Sequence, residues 1–177
     1  MVIFIDGNEL RAREVQAVIP GVELRCEALQ SAFSTSAPDP GQRARDKLLA
    51  HPVDGACFAE AVDITTMDGK SLRLELDSEN ANRFCKWWRE TPTKMHLAIA
   101  LRRAPGADIE LYASVCDGRI ADQPAGSHLL GWDRLFVPGG EDHTLAQLIE
   151  AGEVSELRRA AYAQVGAALD RRLASSP

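Results

Sequence analysis

The first run of residues able to do chemistry is Asp6-Gly7-Asn8-Glu9-Leu10-Arg11, which follows the all-apolar Val2-Ile3-Phe4-Ile5. A glycine after a buried strand lets the backbone turn tightly, and the next helix offers free N–H groups that attract anions. Asn8 can donate to a phosphate oxygen, and Arg11 can form a bidentate pair with one. Gly7, Asn8 and Arg11 are therefore candidate phosphate ligands; the plainer alternative is an ordinary helix capped by Asn8. Asp6 would repel a phosphate unless a metal intervened.

Spacing argues against several other chemistries. Cys26, Cys57, Cys85 and Cys116 lie far apart with no CxxC pair, which favours buried apolar thiols over a zinc or disulfide framework. His51, His96, His128 and His143 fall in different segments without metal-ligand spacing. No Gly-x-Ser-x-Gly elbow, Walker loop or dinucleotide fingerprint is present. A net charge of −6 excludes a sequence-independent grip on a nucleic-acid backbone, although local cations and a metal can still neutralise a nucleotide. No stretch approaches the length of a membrane span, and the N-terminal apolar run is too short for a signal peptide. A cytoplasmic protein is expected.

The elements that must position these residues follow from periodicity. Residues 2–5 read as a strand buried on both faces, residues 9–19 as a helix ended by Pro20-Gly21, and Val22, Leu24, Cys26 and Ala28 as a half-buried strand. Residues 34–41 form a Ser- and Pro-rich loop, 42–50 a short helix stopped by His51-Pro52, and 55–66 an extended segment. Asp68-Gly69 is a hairpin signal leading into Leu72, Leu74 and Leu76. Ser78 caps a helix carrying Ala81, Phe84, Cys85 and Trp88 on one stripe and ending at Pro92. Trp87 and Trp88 are neighbours, so one packs and the other is partly exposed. Residues 95–102 and 109–116 are strands joined at Pro105-Gly106, 117–131 is irregular, and 135–137 is a short strand. The tail from Thr144 is helical with a break near Gly152, and its second part spaces Leu157, Ala161, Val165, Leu169 and Leu173 on one face. A strand–loop–helix opening favours an α/β fold.

Four segments, in order, resemble the inosine-triphosphate pyrophosphatase (Ham1-like) family. Gly118-Arg119-Ile120-Ala121, Gly131-Trp132-Asp133, Phe136, Pro138, Gly140 and Thr144-Leu145-Ala146 are similar to the family's Gly-x-Ile run, aromatic-Gly-aromatic-Asp-Pro motif and Thr-x-Ala-Glu helix start. The Asp6 to Arg11 run resembles its Thr-Gly-Asn-x-x-Lys phosphate loop. Lys86-Trp87-Trp88 looks like a Lys-Trp-Phe on its central helix, and Gln42-Arg43 sits where the family has a lysine. The ordered set, spanning nearly the whole chain, carries the resemblance.

The resemblance implies a mixed twisted sheet flanked by helices. One domain over residues 1–177 would form two lobes around a central nucleotide cleft, and the protein would be a homodimer. It implies Mg²⁺-dependent hydrolysis of a nucleoside triphosphate to the monophosphate and pyrophosphate, with no nucleic acid or membrane as partner. Glu60 aligns with a metal-binding carboxylate of the family, and Asp63 is a second acidic candidate. Lys86, with Arg11 and Arg43, would neutralise the phosphates. Leu130, Trp132, Asp133, Arg158 and Arg159 would contact the base or nucleoside. The pattern also departs from the family. Ala61 and Val62 follow Glu60 where the family has a further acid, Leu130 replaces a stacking aromatic, and Leu157-Arg158-Arg159 stands where Ser-His-Arg is expected. The expectation is an altered base preference; the alternative is a non-catalytic nucleotide-binding or interaction protein that keeps the fold.

Overall fold

The computed structural model describes residues 1–5, 9–28, 37–72 and 78–173. The phosphate-loop residues Gly7 and Asn8, and the predicted strand positions Leu74 and Leu76, lie outside them.

Apolar runs and turn signals set the order of elements. These are β1 (Val2–Ile5), α1 (Glu9–Val18), β2 (Leu24–Glu27), α2 (Pro40–Ala50), β3 (Cys57–Thr66), α3 (Ser78–Trp88), β4 (Pro92–Arg102) and β5 (Ile109–Ile120). A 3₁₀ segment (His128–Arg134), β6 (Phe136–Pro138), α4 (Leu145–Glu150) and α5 (Glu156–Leu173) complete the chain. The six strands form one mixed sheet in the order β2-β1-β3-β4-β5-β6. β1 runs parallel to β2 and β3, whereas β3-β4, β4-β5 and β5-β6 are antiparallel. This is the mixed, helix-flanked α/β sheet expected from the sequence.

Side chains alternate across a strand, so each strand feeds two cores. Val2, Phe4, Phe58, Leu97 and Ile99 join Val15 of α1 and Leu157, Ala161, Tyr162 and Val165 of α5. Phe4 stacks on Phe58 with ring centroids 4.6 Å apart, and Tyr162 meets Phe58 edge-on at 6.3 Å. The other face, with Ile3, Ile5, Cys57, Ala59, Ala61 and Ala100, is covered by Ala44 and Leu48 of α2. Alanines at three of those sheet positions leave room for a helix to lie close.

Several boundaries differ from the sequence reading. α2 begins at Pro40, because the Asp39 side chain accepts from the Gln42 N–H at 2.8 Å and proline suits a first helical position. Pro92 opens β4, where its missing N–H removes no bond within a preceding helix. β5 continues to Ile120 instead of stopping at Cys116. Gly118 permits this: a Cβ there would lie 2.3 Å from the Val137 carbonyl oxygen and 2.4 Å from the Phe136 ring of β6. The irregular stretch also contains the 3₁₀ segment, kinked at Gly131 with φ 52° and ψ −119°, where glycine avoids backbone strain.

Candidate functional site

On the α1–α5 face of the sheet, four elements bring charged side chains to one buried point. Arg11 and Glu14 are three apart on α1 and share a helix face. Glu60 is an even-numbered residue of β3 and points the same way as Phe58. The 3₁₀ segment supplies Asp133, and α5 supplies Arg158 and Tyr162, four residues apart. All six side chains are buried.

Arg11 Nη1 lies 2.8 Å from Glu60 Oε1, and its Nη2 reaches Asp133 Oδ2 and the Leu130 carbonyl, each at 3.3 Å. Arg158 Nη2 donates to both Asp133 oxygens at 3.2 and 3.1 Å and lies 3.5 Å from Glu60 Oε1. Its Nε faces Glu14 Oε2 at 3.4 Å. Ser155, just before α5, donates from its N–H and hydroxyl to Glu14 Oε1, each at 3.4 Å. The Tyr162 hydroxyl donates to Glu60 Oε2. Two guanidinium groups thus bridge three carboxylates.

The same burial drives two of those carboxylates in opposite directions. Desolvation raises Glu14 from 4.5 to about 7, because the pull of Arg158 is smaller and Asp133 and Glu60 add repulsion. Desolvation also pushes Glu60 up, but Arg11, Arg158 and the Tyr162 hydroxyl together outweigh it and bring it down to about 2. Burial opposes the charge on Arg158, yet Asp133, Glu60 and Glu14 hold it firmly protonated. Burial and the neighbouring Glu60 keep Tyr162 neutral. At neutral pH, Glu60 is therefore a fixed anion and Glu14 sits near its midpoint. Such a split is how paired carboxylates come to have separate roles.

Of the sequence candidates among the described residues, the structure gathers Arg11, Glu60, Asp133 and Arg158, sets the Leu130 carbonyl against Arg11, and places Asp63, Arg43, Arg159 and Lys86 elsewhere. Asp63 lies on the opposite face of β3 from Glu60, because three residues along a strand reverses the side-chain direction. There it accepts from the Ser71 hydroxyl at 3.0 Å and lies 3.9 Å from Arg43. Arg43 is spent on carbonyl oxygens, donating to Ala37, Pro38 and Val62 at 3.1, 2.8 and 2.8 Å. It fastens α2 to β3 on the face away from the cluster, so it does not share a site with Arg11. Arg159, one helical step from Arg158, is exposed and pairs with Glu156 at 3.3 Å. Lys86 is exposed on α3 and makes no ion pair with the cluster; of the adjacent tryptophans, Trp87 is the exposed one and Trp88 packs on the core. The Leu130 side chain is buried against Ala146 and Ile149, leaving its carbonyl to face Arg11. Trp132 is half-buried, edge-on to Phe84 with centroids 5.3 Å apart.

Glu14, Ser155 and Tyr162 were not among the sequence candidates. Helical spacing was the available signal: Glu14 is three residues after Arg11, and Tyr162 four after Arg158. Among the described residues, no three His, Cys, Asp or Glu side chains converge as a ready metal cage.

The model for the Ham1 family matches residues 69–165. An inosine triphosphate pyrophosphatase of Yarrowia lipolytica is 23% identical over 159 residues, covering 84% of either chain. A dITP/XTP pyrophosphatase of Anaeromyxobacter sp. is 29% identical over 129 residues, covering 69% of this chain and 55% of its own. Among solved structures, the Ham1 protein of Staphylococcus aureus superposes with a TM-score of 0.63 at 17% identity, over 97% of this chain and 100% of its own. A HAM1 protein of Coxiella burnetii gives 0.62 at 15% identity, over 96% and 98%. At these identities the solved structures show a shared fold.

Proposed function

This chain belongs to the Ham1 family, and from that premise we propose that it hydrolyses a nucleoside triphosphate to the monophosphate and pyrophosphate at the Arg11–Glu60–Asp133–Arg158 cluster. The observation carrying this reading is the convergence of those four residues from α1, β3, the 3₁₀ segment and α5 on one buried point. Relatives named inosine triphosphate and dITP/XTP pyrophosphatase support the reaction class.

Arg11 lies in the first turn of α1, so its guanidinium is the cluster's candidate for neutralising phosphate charge. Glu60, held ionised, fits a Mg²⁺ ion that keeps several waters and takes other oxygens from phosphate, since such an ion needs only one or two carboxylates from the protein. When bound there, Mg²⁺ would polarise a phosphoryl oxygen and lower the pKa of a water. Glu14 and Asp133 fix the orientation of Arg158, and the Leu130 carbonyl and Trp132 complete the nucleoside end. With the Leu130 side chain turned into the core and Arg158 in place of a histidine, the base preference differs from the family's usual one. A homodimer in the cytoplasm is part of the same reading.

The second reading is a nucleotide-binding protein without turnover. It is favoured by Ala61 and Val62 beside Glu60, which leave no adjacent carboxylate on that strand to activate water. Pyrophosphate release from a panel of nucleoside triphosphates with Mg²⁺, run beside Glu60→Ala, separates the two. Release that the substitution abolishes supports hydrolysis at this cluster. Calorimetric binding without release supports the second reading, and release that survives Glu60→Ala overturns the assignment of the site.

A further inference from the structure

The two groups that this reaction needs for different partners are bound to each other: Arg11, for phosphate, holds Glu60, for a divalent cation. Resting on the reading of the cluster as a metal and nucleotide site, we infer that Arg11 is a latch on Glu60, released only when cation and triphosphate arrive together, so that neither binds well alone.

The pair is charged and sits in a dry place. Arg11 Nη1 and Glu60 Oε1 are 2.8 Å apart, with side chains only 10% and 1% exposed. Separating such a pair leaves charges that water cannot reach, which costs far more than breaking an exposed pair. A divalent cation taking Glu60 alone would displace the guanidinium and add two positive charges to a buried cluster. A triphosphate drawing Arg11 away alone would leave Glu60 with Arg158 at 3.5 Å and the Tyr162 hydroxyl, and leave Asp133 with Arg158 as its remaining guanidinium partner among the described residues. Arg158 would then serve three carboxylates by itself. When both ligands arrive, the exchange balances. The cation takes the place of the guanidinium at Glu60, and the phosphates take the place of the carboxylate at Arg11. Binding of each therefore strengthens binding of the other by the same factor.

Thermal unfolding of the full chain tests this, because a ligand that binds only the folded state raises the midpoint. The probes are Mg²⁺ alone, inorganic tripolyphosphate alone, and the two together. Either probe alone should leave the midpoint within about 1 °C, while the pair raises it by several degrees, reflecting coupling of about tenfold or more. Arg11→Gln should let Mg²⁺ alone raise the midpoint, and the further change Glu60→Gln should remove that response. If Arg11→Gln does not fold, the comparison of the three conditions on the unaltered chain decides by itself. A shift from either probe alone as large as from the pair, or no shift from the pair, overturns the latch. Paired stabilisation without pyrophosphate release from any nucleotide keeps the latch and removes hydrolysis. Release accompanied by independent binding does the reverse.

Discussion

Glu14 is an acidic side chain on a helix with α1's ordinary mixed composition, and it is buried facing Arg158. Its carboxyl ionises at about 7 in the folded protein, against 4.5 for the ordinary group. Between those values the unfolded chain has lost a proton that the folded chain keeps, so stability falls as pH rises through that window. Glu60 has the opposite sign. Its folded value of about 2 gives stability present above the ordinary 4.5 and lost as pH falls towards 2. Replacing Glu14 by Gln removes the first dependence and leaves the second. Urea unfolding from about pH 5 to pH 8 should show the Glu14→Gln variant gaining on the parent by about 3 kcal/mol across the range. A difference that stays flat with pH would mean that Glu14 does not change its charge on unfolding. Arg11 stands out in the sequence of the same helix, and Glu14 does not. Arginine after a Gly-Asn pair in the sequence suggests a phosphate ligand, whereas a glutamate in a helix is ordinarily solvated. Only the arrival of Arg158 from a position far along the chain gives Glu14 its role.

Within an element, position on the face decides what two identical residues do. Arg158 and Arg159 are adjacent on α5, yet a helix turns about 100° per residue. Arg158 therefore points into the cluster at 0% exposure while the Arg159 side chain is 54% exposed and paired with Glu156 in the next turn back. Arg158→Met should cost about 3–5 kcal/mol, because it takes from Glu14 the guanidinium it faces and leaves the buried Glu60 and Asp133 to share Arg11. Arg159→Met should cost less than about 1 kcal/mol, as for an exposed pair. Chemical denaturation of the two variants reads the contrast directly, and equal losses would contradict the placement of α5. The same logic limits what β3 could reveal. The sequence marks residues 55–66 as extended, and Glu60 and Asp63 stand out in them as carboxylates. Strand parity then sends them to opposite faces, Glu60 to Arg11 and Asp63 to Arg43. Helix and strand identities were legible because apolar periodicity is local. The continuation of β5 through Asp117-Gly118 was not, since that dipeptide looks like a turn until β6 is seen crossing beside it.

Across the whole molecule, α5 closes what the first third of the chain begins. Leu157, Ala161, Tyr162 and Val165 complete the core that Phe4, Val15 and Phe58 start. Gly166 lies against Ile19, where a Cβ would come within 2.4 Å of the isoleucine Cγ2. Arg158 and Tyr162 supply partners for Glu14, Glu60 and Asp133. Sheet order adds to this dependence: β1 sits between β2 and β3, and its face is covered by a helix from the other end of the chain. An arrangement held by contacts so distant in sequence has no stable half. A chain ending at residue 154 would expose the aromatic stack of Phe4 and Phe58, each large side chain losing burial of about 1.5–3 kcal/mol. It would also leave the ionised Glu60 with Arg11 as its remaining guanidinium partner in a site that water then enters. Since a domain's whole stability is only about 5–15 kcal/mol, these losses together exceed what the remaining sheet can supply. The truncated chain should show no cooperative thermal transition by circular dichroism, while the full chain melts in a single step. A sharp transition in the truncated chain would show instead that the sheet with α1 to α4 is self-sufficient, and that α5 serves the charged cluster alone.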